Sequence, residues 1–386
     1  MSPFRRARRL ALPLAIALAG LMLPPAAVAD ACSTPGRWYL DGGTPVAPST
    51  LMAELAQRRV VLLGEQHDRM VHHRWQLHTL AGLHAHQPRM VIGLEMLPRD
   101  AQPALDAWVA GELDETGFIE ASRWHDAWGF DPSLYFPILH FARMQRIPLL
   151  ALNVAPELRR RLVDEGWESV PEAQRHGITP PAAPPASYRE ALAEVFDEHP
   201  TGGDRDTGLA RFIDAQLVWD RAMAAALAEA SGDDTLVVGL MGQGHLTHGH
   251  GVPHQLDDLG LADHRTLLPV TPEADCRPAE PGLADAVYLL GDESPHEPPR
   301  APRLGVLIGE HAEGLMIQGV GPGSVAAEAG LQEGDIILRA ADRPMTTPGD
   351  LTGLLQRMVP GILLPLEVRR DGRQQEILAR LQAPAP

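Results

Sequence analysis

No lysine occurs in this sequence, so arginine supplies every fixed positive charge. Without lysine there is no G-x-x-x-x-G-K phosphate loop, and no G-x-S-x-G stretch marks a nucleophilic serine. Acidic residues outnumber arginines, and the formal charge is −17, or −21 once Arg5, Arg6, Arg8 and Arg9 are set aside. A surface that acidic argues against nucleic acid and anionic membrane as partners. Long apolar runs are also missing, apart from Leu10–Leu23. That stretch follows the four arginines and precedes Ala27-Val28-Ala29, the pattern of a cleaved export signal over residues 1–29 rather than of a membrane span. Only two cysteines are present, Cys32 and Cys276. In an oxidising compartment such as the periplasm an isolated pair is most simply a disulfide. The alternative is a lipoprotein anchored through Cys32, against which Ala29, Asp30 and Ala31 make a poor lipidation signal.

What is present is a repeated strand grammar. Val60-Val61-Leu62-Leu63 runs into Gly64-Glu65-Gln66-His67, and Thr235–Met241 runs into Gly242-Gln243-Gly244-His245. Short continuous apolar runs of this kind read as strands of a parallel sheet covered on both faces. Met90–Leu94 leads into Glu95 and Ile147–Leu152 into Asn153 in the same way. If the four strands are parallel neighbours, His67, Glu95, Asn153 and His245 share the carboxyl rim, where open α/β sheets bind ligands.

Around these strands the pattern predicts Trp38-Tyr39-Leu40 as an edge strand and a helix over 48–58. A second helix over 68–86, with Asp68 as N-cap, carries His72 and His73 in its first turn. Eight aromatic residues between Trp108 and Phe141, in a chain with 5% aromatics, either form core or wall a flat apolar ligand. Residues 176–203 are an excursion or lid. A helix over about 204–229 places Gln216 and Trp219-Asp220-Arg221 on a buried stripe, which calls for a buried hydrogen bond or ion pair. Strands over 265–270 and 286–290 complete the sheet. The first domain is thus 30–290, residues 291–302 form a Pro-rich linker, and 303–386 make a small, mainly β domain with a helix capped by Thr347.

Histidines and carboxylates from separate strand ends suit a transition-metal ion such as iron or zinc, with His67, Glu95 and His245 as ligands. A metal-activated water would take Glu65 or Glu95 as base. The bland alternative is that these groups only hydrogen-bond to one another.

The stretches Val60–His67 with His72–Trp75, Gly93–Arg99, Ala151–Val154, Ala215–Ala224 and Gly244–Pro253 resemble the ChaN-type haem-binding uptake family, which belongs with the Tiki and erythromycin-esterase-like proteins. The resemblance covers roughly residues 32 to 290. It implies an α/β fold, a mostly parallel sheet flanked by helices, and haem or iron handling at the cell envelope. Metal-dependent hydrolases in the wider superfamily imply a metal role for His67, Glu95 and His245 and leave hydrolysis as the alternative. Haem ligands do not transfer from the resemblance; on chemistry alone the candidates are His125, Tyr135, His248 and His250. Residues 303–386 resemble a bacterial PDZ domain of envelope proteases. That implies a loop, Leu304-Gly305-Val306-Leu307, holding the carboxylate of a peptide or envelope-protein C-terminus.

Overall fold

The computed structural model describes residues 35–175, 178–198, 204–271, 281–291 and 301–382. The first domain is built on eight strands: β1 (Arg37–Leu40), β2 (Thr44–Val46), β3 (Val60–Glu65), β4 (Met90–Pro98), β5 (Leu149–Asn153), β6 (Leu236–Gly242), β7 (His264–Val270) and β8 (Ala286–Leu289). Their order across the sheet is β2-β1-β8-β7-β3-β6-β4-β5. Every ladder from β8 to β5 is parallel, and β1 and β2 extend the sheet antiparallel beyond β8. The expected edge strand therefore lies one place inside the edge, because the Thr44–Val46 hairpin partner covers it.

Among the described residues ten α-helices accompany the sheet: α1 (Pro48–Leu55), α2 (Met70–His86), α3 (Gln102–Ala110), α4 (Glu115–Ala121), α5 (Trp124–Ala127), α6 (Phe136–Gln145), α7 (Pro156–Glu165), α8 (Ala186–Glu198), α9 (Arg205–Ala230) and α10 (Val252–Asp258). They explain why the central strands carry apolar residues without alternation. Val61, Leu63, Val238 and Leu240 enter one core with residues of α1, α2, α3 and α6. Val60, Leu62, Val237 and Met241 enter another with α9 and α10. Side chains alternate across a strand, so a strand buried on both faces must be apolar at every position. Gly93 and Gly239 sit opposite each other on β4 and β6. A Cβ on either would lie within 3.3 Å of Leu227, so the paired glycines let α9 approach the sheet closely.

Several expected boundaries shift. The first helix ends at Leu55 rather than Arg58. The second starts at Met70, behind Arg69 rather than an Asp68 cap. The long helix starts at Arg205, close to the expected position, behind an Asp204 cap whose carboxylate accepts from the Thr207 amide at 2.9 Å. The excursion after α7 contains α8, packed against α9.

The second domain has a six-stranded antiparallel sheet, β9 (Val306–His311), β10 (Gly314–Val320), β11 (Ile336–Ala340), β12 (Arg343–Pro344), β13 (Leu363–Arg370) and β14 (Arg373–Arg380). The order is β14-β13-β11-β10-β9, with β12 on β11, so one side of β9 is an open edge. Two helices, α11 (Val325–Ala329) and α12 (Pro348–Gln356), close its core. As expected, Thr347 caps α12, here in a capping box with Asp350. Cys32, Cys276 and the export signal lie outside the described residues, as does most of the Pro-rich linker. Among the described residues no helix is long and apolar enough to cross a membrane.

Candidate functional site

The strand order β3-β6-β4-β5 makes the four predicted strands parallel neighbours and brings their carboxyl ends to one rim. Two buried histidine–carboxylate networks lie there side by side.

The first centres on Glu65, the last residue of β3 and 1% exposed. Its Oε1 accepts from His67 Nδ1 at 2.9 Å and from the Tyr135 hydroxyl at 2.8 Å. Oε2 faces His73 Nδ1 at 3.2 Å. The other His73 nitrogen donates to the His67 carbonyl at 3.0 Å, and Gln76 Oε1 also faces Nδ1. Since Gln76 uses its amide nitrogen on the Leu63 carbonyl, both ring nitrogens of His73 see only acceptors. His73 therefore holds two protons, its pKa raised because the bonds to Glu65 outweigh burial. Burial alone would push the Glu65 carboxyl up; the hydrogen bonds and charge of His67 and His73 outweigh it and hold it at about 2.

The second centres on His245. Its Nδ1 donates to Asp220 Oδ1 at 2.5 Å and its Nε2 faces Glu95 Oε1 at 3.3 Å. Burial would lower this histidine, yet the charges of Glu95 and Asp220 raise it to about 10. Glu95 Oε2 accepts from the Gly242 amide at 2.6 Å, and Tyr188 on α8 donates to Asp220 Oδ2 at 2.8 Å. Asn153 closes the rim by donating to the Glu95 carbonyl at 2.8 Å.

Three almost fully buried carboxylates thus face the imidazoles of His73 and His245; burial raises the Asp220 carboxyl, while the neighbouring histidines outweigh burial at Glu65 and Glu95 and lower them. His72 is buried and accepts from the Gln66 amide at 3.0 Å, whereas His67 is different. Its Nδ1 is used on Glu65, its Nε2 has no hydrogen-bond partner among the described residues, and about a quarter of its side chain is exposed. Its ring stands edge-on to Trp128, 4.7 Å away, and tilted against Phe130 at 5.0 Å. A Cβ on Gly242 would come within 2.8 Å of this ring, so glycine at the end of β6 makes room for it.

The structure brings His67, Glu95 and His245 to one rim but not into a common ligand set. Among the described residues no three His, Cys, Asp or Glu side chains form a group able to hold a metal ion. His245 has both nitrogens occupied, Nε2 by Glu95 and Nδ1 by Asp220 with the Gln216 amide 3.0 Å away.

The four haem-ligand candidates are not gathered either. Tyr135 is buried beneath the rim, donating to Glu65 and accepting from the Trp128 indole at 3.2 Å. Burial and the Glu65 charge push its phenol far up, so it is not available as a phenolate ligand. His125 faces the second domain, its ring 2.5 Å from where a Gly353 Cβ would be. His248 and His250 sit on the loop after β6 with rings 5.8 Å apart, outside the second network. His250 stacks on Tyr188 and meets Ser187 at 2.9 Å. Burial and the neighbouring His248 and His254 lower its pKa.

Sequence reasoning left His73, Tyr188 and Asp220 out of the site. Asp220 and Arg221 do not pair with each other: Asp220 serves His245, and Arg221 reaches Asp258 at 2.7 Å. A polar pair on an otherwise buried stripe was the available signal. Nothing local in the sequence marks Tyr188.

In the second domain Leu304 is buried and Gly305 turns at φ +80°, leading into the edge strand β9. A Cβ on Gly305 would lie 2.4 Å from Ser324, so the loop is built around glycine.

Residues 51–256 match the family described as haem-binding uptake, Tiki superfamily, ChaN, and residues 302–381 match the PDZ domain. Among solved structures the fold is similar to one described as cofacial heme binding to ChaN of Campylobacter jejuni. The TM-score is 0.53 at 18% identity, covering 65% of this chain and 95% of that one. A phage-peptide complex of the HtrA3 PDZ domain matches 21% of this chain and 85% of its own at 24% identity, with a TM-score of 0.20. The magnetosome formation protease MamE of Paramagnetospirillum magneticum is 37% identical over 75 residues, 19% of this chain. The chain spans only 10% of that relative's length.

Proposed function

This chain belongs to the ChaN-type haem-binding uptake family of the Tiki superfamily, and on that premise we propose that the rim of β3, β4 and β6 holds haem or iron in the cell envelope. The observation that carries the reading is the state of His67. A carboxylate bonded to one imidazole nitrogen fixes the ring and directs the other nitrogen outward, the arrangement that prepares histidine as a metal ligand. Glu65 does this for His67, while Trp128 and Phe130 flank the ring with apolar surface. The lowered Glu65 and Glu95 carboxylates on this rim favour a cationic centre beside them. Iron bound there would supply a Lewis-acidic, redox-active centre. The chain's own groups fix one ring, hold protons at His73 and His245, and keep water from the buried carboxylates. His248 and His250 offer further imidazoles on the adjoining loop.

The PDZ domain binds a peptide or protein C-terminus along the open edge of β9, with the Leu304–Leu307 loop at the carboxylate. The arginine-led segment 1–29 supports export to the periplasm.

One observation favours a metal-dependent hydrolase as the second reading. Glu65 Oε2 and Glu95 Oε1 are buried and each meets an imidazole nitrogen only at 3.2 and 3.3 Å in poorly directed geometry, which leaves each oxygen able to take a second partner such as a metal. In that case Glu95, less fully engaged than Glu65, is the base. Hemin titration of the mature protein, with elemental analysis of the protein as purified, separates the two. Saturable hemin binding weakened by His67→Ala supports the haem reading. A stoichiometric transition metal with no hemin binding supports the hydrolase.

A further inference from the structure

The two domains meet at a small, shaped contact. Asp126 of α5 accepts from the Gly349 amide at 3.0 Å and from the Thr347 hydroxyl at 3.1 Å, so one carboxylate from the first domain completes the N-terminus of α12. His125 fills the space above Gly353, and Glu120 of α4 meets Arg343 at 2.9 Å and Arg357 at 3.9 Å. Gly349 and Gly353 lie one turn apart on the same stripe of α12. A Cβ on either would come within 2.5 Å of Asp126 or His125. Glycine disfavours a helix, so two of them on the face that meets α5 indicate a seat shaped for contact rather than an incidental touch. An open cleft of about 550 Å³ runs along the seat, lined by residues of both domains.

Adjacent residues of α5 point the other way, into the rim. Trp124 packs on the Tyr135 ring at 5.4 Å, and Trp128, directly after α5, packs on His67 and donates to the Tyr135 hydroxyl. Being a single helical turn, α5 does not hold itself; its shape depends on the packing on each side. Meanwhile α12 is also the helix that lies along β9, the edge on which a peptide would add.

We propose that the α5–α12 seat couples the PDZ groove to the rim, so that a bound C-terminal peptide and a ligand at His67 alter each other's affinity. The inference rests on the peptide-groove and rim readings above. Because coupling between sites is reciprocal, either ligand reports it.

The test uses the full mature chain, a fluorescent decapeptide ending in a free valine carboxylate, and hemin. Hydrogen exchange of residues 115–128 is followed with and without peptide, and hemin affinity is measured in both states. The expected result is a change in exchange confined to that segment and a shift in hemin affinity of roughly fivefold or more. In the Glu120→Ala/Asp126→Ala variant both effects fall below about twofold while the peptide still binds. The exchange arm stands even without hemin binding. Peptide binding that leaves exchange of 115–128 unchanged in the wild type overturns the coupling alone. Absence of peptide binding overturns the groove reading and the coupling with it.

Discussion

Replacing His245 with leucine tests the buried charge arrangement most severely. In the wild type the imidazole lies between Glu95 and Asp220, which are both essentially fully buried. Removing the cation leaves two carboxylates facing a leucine with no compensating charge, and breaking a buried pair from one side costs about 3–5 kcal/mol. The raised pKa sets a ceiling of similar size: moving His245 from 6.5 to about 10 corresponds to at most about 5 kcal/mol of preference for the charged form. A loss of that size lowers Tm by roughly 10 °C or more for a domain of this length. The sign with pH follows from a folded pKa above the unfolded one. The wild-type contribution is fully present below pH 6.5 and disappears as pH rises through 10. In the variant the stranded carboxylates can protonate as pH falls, which relieves part of the cost below neutrality. The deficit between wild type and His245→Leu in urea unfolding is therefore widest near neutral pH and narrows on both sides. A deficit below about 1 kcal/mol at pH 7, or one that does not vary with pH, would refute the argument.

Three further outcomes follow from particular contacts. Tyr135→Phe removes a donor to Glu65 and strands the Trp128 indole N–H, so it costs about 1–3 kcal/mol in urea unfolding and shifts the tryptophan emission; an unchanged midpoint counts against the network. Gly242→Ala drives a methyl into the His67 ring, so hemin affinity falls about tenfold or more while the circular dichroism spectrum is retained; unchanged affinity shows that this ring is not at the binding locus. Gly305→Val forces a branched residue into the φ +80° turn against Ser324, so valine-terminated peptide binding weakens by about tenfold or more in fluorescence anisotropy. Wild-type affinity in that variant removes the loop from the groove.

The legible parts of this protein are those set by local pattern. Val60–Leu63 and Leu236–Met241 have to be strands buried on both faces, because no alternation leaves a wet side, and the residues after them then fall on one rim. Thr347 is a cap that needs only its own neighbours. What the chain did not disclose depends on distant partners. His73 and Glu65 meet because α2 folds back over β3, and Asp220 meets His245 because α9 crosses the end of β6. Tyr188 reaches Asp220 from a helix inside a Pro-rich excursion. His125 and Tyr135 have suitable chemistry for haem, but ligand chemistry says nothing about direction: one ring is covered by α12 and the other hydroxyl is spent on a carboxylate. The antiparallel edge of the sheet was hidden for a similar reason, since Thr44–Val46 is too short to show any period.

The central claim is that His67 presents the open nitrogen of the rim. Resonance Raman spectroscopy of the ferric hemin complex, wild type against His67→Ala, tests it most directly. An imidazole-ligated spectrum in the wild type that is lost in His67→Ala is the predicted result. A phenolate-ligated spectrum, or an imidazole signature that survives His67→Ala unchanged, would contradict it.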